Sequence, residues 1–137
     1  MEFQIRSIEL LEFALIPPAP GAPATTNFYF DFNIQHQIDP ENKVVAVFSH
    51  VIVKAEDQTS NLARLGTLCV YEIKDFEKIV IKQGTTLTLP EEWQEELYVT
   101  SVDTTRGIMF SQFKGTPLHY AFFPVIDPRD LQPKTHA

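Results

Sequence analysis

Cysteine, glycine and basic residues are all scarce in this 137-residue sequence, and each scarcity removes a class of function. The single cysteine, Cys69, cannot form an internal disulfide, so nothing asks for an oxidising compartment. It falls mid-strand among apolar neighbours, where a thiol is normally inert. The five glycines (Gly21, Gly66, Gly84, Gly107 and Gly115) are too dispersed to build a phosphate-cradling loop. Lys and Arg number 11 against 18 Asp and Glu, giving a net charge of −7 with no basic cluster. Nucleic acid is therefore not an expected partner, and the acidic surface serves solubility. No run of 18 apolar residues exists, so membrane insertion is not expected. The first eleven residues carry Glu2, Arg6 and Glu9 within their apolar pattern and do not read as a secretion signal. The expected compartment is the cytoplasm.

Material for catalysis is equally thin. His36, His50, His119 and His136 have no His-x-x-x-His or Cys-x-x-Cys spacing, so no metal and no cofactor is expected. No serine occupies a nucleophile elbow. Glu91, Glu92, Glu95 and Glu96 crowd a helix start with like charges and read as a solvated face rather than an acid/base pair. A ligand-binding or enzymatic domain would have only His36, His50 and Tyr71 as obvious raw material, and an enzyme is not expected.

What the sequence does have is phenylalanine, eleven against four tyrosines, which supplies large apolar surfaces without a polar handle. Much of it lies in period-two patterns. From 28 to 38, Phe28, Phe30, Phe32, Ile34 and Ile38 alternate with Tyr29, Asp31, Asn33, Gln35 and Gln37, interrupted only by His36. After the turn residues Asp39, Pro40, Glu41 and Asn42, the β-branched stretch 44–55 predicts the second arm of an antiparallel hairpin. Residues 62–73 predict a third strand. Residues 3–16 predict a fourth whose phase slips between Ile5 and Ile8, which a bulge near Ser7 would reconcile. Between them, residues 17–26 hold Pro17, Pro18, Pro20 and Pro23 and predict an unpaired crossover.

One helix is expected. Pro90 and the glutamates suit its start, Arg106 and Gly107 suit its end, and Trp93 and Leu97 supply apolar contacts. Ser101, Thr104 and Thr105 form a narrow small-residue face able to lie close to a sheet or another helix. Residues 108–113 are compatible with an extended segment or a helix remnant. Residues 75–88 read as a loop that tucks Phe76, Ile79 and Ile81 inward or forms a short extra strand; a mobile apolar lip is the functional alternative. Pro117, Pro124, Pro128 and Pro133 break the final stretch, and residues 127–137 read as a tail. The whole, 1–137, fits one α+β domain, a four-stranded antiparallel sheet followed by one long helix.

This order of elements resembles the SecB protein-export chaperone family. Phe3-Gln4-Ile5-x-x-Ile8 with the proline-rich crossover is similar to that family's first strand and following loop. Val99-Thr100-Ser101-Val102, then Arg106-Gly107, Phe110-x-Gln112-Phe113 and Pro117 look like its long helix, ending at Arg-Gly before a short apolar segment. The resemblance implies a homodimer or homotetramer that holds unfolded or precursor polypeptides in apolar grooves, without ATP, and passes them to an export motor. By position, Phe76, Ile79, Ile81, Trp93, Phe110 and Phe113 would bound the groove. The proline-broken C-terminus and the short connection at 75–88 depart from the family pattern. The other role for such a fold is an adaptor or structural protein that binds one defined partner.

Overall fold

Alternation along the chain becomes a sheet. The computed structural model describes residues 1–17, 21, 27–127 and 130; most of the expected crossover 17–26 and tail 127–137 lies outside them. Strands β1 (Phe3–Leu15), β2 (Tyr29–Asp39), β3 (Val44–Lys54) and β4 (Asn61–Ile73) are antiparallel in the order β1-β4-β3-β2. Asp39 fixes the β2–β3 turn by accepting hydrogen bonds from the main-chain N–H of Glu41 and Asn42. Asp57 does the same between β3 and β4: the Ser60 hydroxyl and the main-chain N–H groups of Ser60 and Thr59 donate to its carboxylate, and those bonds lower its pKa to about 2.

Strands β2 and β3 pair without interruption from Tyr29↔Lys54 to Asp39↔Val44. Strand β1 instead shifts register twice against β4, between Ile5 and Ser7 and between Leu10 and Glu12. The first shift is the bulge that the phase slip requires.

Short elements α1 (Phe76–Ile79), β5 (Ile81–Gln83) and β6 (Thr86–Thr88) follow. Gln83 pairs with Thr86, and Gly84 turns the chain at φ 62, as the first position of a tight hairpin loop requires. Residues 75–88 thus do what a short extra strand and an inward Phe76 would do.

Helix α2 (Glu91–Phe113) then crosses the sheet. It runs six residues beyond Gly107, where the Arg-Gly pair predicts its end. A mid-helix glycine costs only about 1 kcal/mol, and Met109 and Phe113, each 1% exposed, continue the buried stripe past it. Packing outweighs the glycine, and the left-handed glycine is instead Gly115 at φ 78, just past the end.

The core lies between α2 and one sheet face. Val45, Val47, Val51 and Val53 of β3 and Ala63, Leu65, Cys69 and Tyr71 of β4 meet Leu97, Tyr98, Val102 and Met109. Each such aliphatic side chain, fully buried, contributes about 1.5–3 kcal/mol. Ser101 and Thr105 are the close-approach points. The hydroxyls of Ser101 and Tyr71 lie 2.7 Å apart, and those of Thr105 and Thr67 lie 2.9 Å apart. The expected small-residue face therefore sits on the sheet. His36, the exception in its strand's apolar row, pairs with Val47 on this inner face and bonds Tyr98.

Candidate functional site

Helix α2 covers the middle of the sheet and leaves both margins to be dealt with separately. Along β1, Ile5, Ile8, Leu10 and Leu15 stand opposite the inward residues Tyr71, Cys69, Thr67 and Ala63 of β4, so they share the helix-side face. Yet they are 41–47% exposed, because no described element lies over them. Along β2, the margin is covered by the chain after the helix. Phe123 is buried there, with its ring 5.5 Å from that of Phe30 and 5.2 Å from that of Phe32.

The six positions named from sequence fall at the two ends of α2 rather than along one groove. At the first end, Trp93 is 7% and Phe76 6% exposed, with Trp93 edge-on to Phe3. Ile79 is half-buried, and Ile81 on β5 is exposed. Phe76, Val80 and Leu87 line a hollow of about 560 Å³ against Pro40. At the other end, Phe113 is buried against Phe13, ring centres 6.0 Å apart, whereas Phe110 is 52% exposed. Seventeen residues of helix separate Trp93 from Phe110, about 25 Å at 1.5 Å per residue. Phe76, Trp93 and Phe113 are thus core residues. Ile81 and Phe110 are exposed apolar contacts.

Sequence reasoning missed the partners of Phe110. Phe122 stacks on it with ring centres 6.4 Å apart, and Tyr120 meets Phe122 edge-on at the same distance. Phe110 and Phe122, with Phe113, Ala121 and Phe123, border a groove of about 360 Å³ whose walls are mostly apolar. The signal that could have found them is the run Ala121-Phe122-Phe123.

The two histidines on the sheet lie on opposite faces. His36 faces the helix whereas His50, opposite Asn33 and Gly66, faces the other side of the sheet, so the two histidines do not meet. His50 lies 3.6 Å from Glu12, which also takes Arg64 at 3.2 Å. Burial pushes the Cys69 thiol and the Tyr71 and Tyr98 phenols up and the His36 imidazole down, which keeps each of them neutral. Among the described residues, no group of three or more His, Cys, Asp or Glu could hold a metal ion. No described helix is long and apolar enough to cross a membrane.

No family's sequence pattern matches the chain, and no curated protein does. Among solved structures, the chain is similar to the Rv1957 SecB-like chaperone of Mycobacterium tuberculosis, in complex with a ChAD peptide from the Rv1956 HigA1 antitoxin. The TM-score is 0.53 at 17% identity, over 91% of this chain and 85% of that one. Sheet order, long helix and this coverage together give the chain a SecB-like α+β fold.

Proposed function

We propose that this protein is a polypeptide-binding chaperone, a SecB-like holdase that covers apolar segments of unfolded or precursor polypeptides without ATP. One observation carries the reading: large apolar side chains stay exposed around a core that is otherwise closed. Ile81 at one end of α2, and Phe110, Tyr120 and Phe122 at the other, offer shallow aromatic and aliphatic contact. Such contact suits many sequences, because apolar and aromatic surface does not depend on matching polar groups. We assign client contact to Ile79, Ile81 and Phe110, with Phe76, Trp93 and Phe113 as the floor beneath them. The row Ile5, Ile8, Leu10 and Leu15 supports self-association into a homodimer or homotetramer, which would also multiply weak client contacts. A cytoplasmic location and delivery of precursors to an export motor accompany this reading as family expectations. It assigns the protein no catalytic step.

A second reading is favoured by the peptide in the structural neighbour, which comes from one antitoxin. On that reading the same surface serves a single dedicated partner.

The test is suppression of aggregation of an unrelated unfolded protein, such as chemically denatured citrate synthase, at near-stoichiometric ratio. Wild type suppresses, and the double change Ile81→Ser with Phe110→Ser, both at exposed positions, weakens suppression while the fold stays intact. If the wild type gives no suppression, the general holdase reading fails. Repeated recovery of one partner in pull-downs then supports the dedicated one.

A further inference from the structure

The chain after α2 is built like a bound ligand. Residues 121–127 have no regular secondary structure. Ala121 and Phe123 point inward, whereas Phe122 and Val125 point out. Among the described residues, no hydrogen bond between main-chain groups ties residues 122–126 to a strand or to α2. What seats residues 123 and 124 is one peg and one clasp, while Phe122 on Phe110 and the half-buried Ile126 add contacts that any apolar side chain could make. The peg is the Phe123 ring, set against Phe30 and Phe32 of β2. The clasp is Arg106. Its Nε donates to the Phe123 carbonyl at 3.0 Å and its Nη2 to the Pro124 carbonyl at 2.8 Å. Its Nη1 is fixed on Asp103 at 2.7 Å, and the guanidinium lies 5.8 Å from the Phe123 ring centre.

Every one of these contacts is independent of sequence except the aromatic peg. An extended backbone presents two carbonyls, and a guanidinium reads them without regard to side chain. We propose that residues 121–126 form a displaceable strap, an internal competitor that fills the site between α2 and β2 until an extended apolar polypeptide replaces it. The incoming segment sets an aromatic or large aliphatic side chain against Phe30 and Phe32 and hands two main-chain carbonyls to Arg106. The inference rests on the polypeptide-binding reading above and adds to it a second seat and a built-in gate. Its occupant is defined by the strap itself, which displays the chemistry the seat accepts. A segment tied down by side chains alone belongs to the low-stability end of the structure, as a displaceable element must. Releasing it would bare Phe30 and Phe32, beside the exposed Phe110.

The experiment uses the full chain and fluorescein-labelled, reduced carboxymethylated α-lactalbumin as an extended probe, read by anisotropy. If the strap occupies the seat nine-tenths of the time, Phe123→Ala tightens probe binding about tenfold, since apparent affinity scales with the competent fraction. Val125→Ala, at a position 91% exposed, binds as wild type does. Nuclear Overhauser contacts in the wild type provide a second arm that needs no variant to fold: those between the Phe123 ring and the rings of Phe30 and Phe32 are lost when the probe is bound. Wild-type binding with no gain in Phe123→Ala, or with the Phe123 contacts kept when the probe is bound, overturns the strap and leaves the chaperone reading standing. Absence of binding by both proteins removes the chaperone reading and the strap with it.

Discussion

The Tyr98 hydroxyl lies 2.6 Å from Nδ1 of His36, joining the middle of α2 to an edge strand through the one polar residue in that strand's inward row. Burial lowers the His36 pKa from its ordinary 6.5, so folding favours the neutral ring. The stabilisation is complete above 6.5, where the unfolded chain is also neutral, and is lost as pH falls through the folded value. The carboxyls of Asp39 and Asp57 are lowered from 3.8, so their share persists until more acid conditions. Thermal midpoints should therefore fall as the pH drops below 6.5, and His36→Gln should flatten that slope. Equal slopes for both proteins would sink the assignment to His36.

Phe113 and Phe110, three residues apart on α2, should behave oppositely. Phe113→Ala opens a cavity in the core and should cost about 3–5 kcal/mol in denaturant titrations. Phe110→Ala, at an exposed site, should change stability by less than about 0.5 kcal/mol while weakening client capture. A comparable loss of stability in both would mean that Phe110 is held more tightly than its exposure indicates.

The close seating of α2 depends on Ser101 and Thr105. Thr105→Val keeps the shape but strands the Thr67 hydroxyl, 1% exposed, and should cost about 1–3 kcal/mol. Ser101→Leu should push the helix off Tyr71 and cost a similar 1–3 kcal/mol or more. Chemical denaturation of the two variants measures both effects.

If self-association uses the bare margin, Ile8→Lys with Leu10→Lys should yield a folded monomer by light scattering. Both side chains are already 41–47% exposed in the protomer, so the substitutions leave its core intact. A wild type that is itself monomeric would remove the oligomer from the proposal.

The strands were legible because the period-two rows are long and unambiguous. The pairing of β2 with β3 followed from the Asp39–Asn42 turn, and the bulge in β1 from the changed parity between Ile5 and Ile8. The C-terminal half was harder to read. Arg106 and Gly107 carry a stop signal that is overridden by Met109 and Phe113, whose partners lie far away in the sequence. Burial was the least legible quantity at the candidate site. Nothing local distinguishes Phe113, in the core, from Phe110, on the surface, until the direction of α2 across the sheet is known. Arg106 looked like a helix-end charge because its acceptors, the Phe123 and Pro124 carbonyls, sit 17 and 18 residues later.

The two register shifts in β1 bear on how this strand tolerates changes of length. Excising Arg6 would make Ile5↔Tyr71 and Ser7↔Val70 consecutive, and excising Leu11 would do the same for Leu10↔Thr67 and Glu12↔Gly66. Either deletion straightens the ribbon and keeps each remaining side chain on its present side. The same loss within β2 or β3 would turn the following residues over, sending valines into water and glutamines into the interior. Natural relatives differing by one residue in this N-terminal strand can therefore share its architecture unchanged.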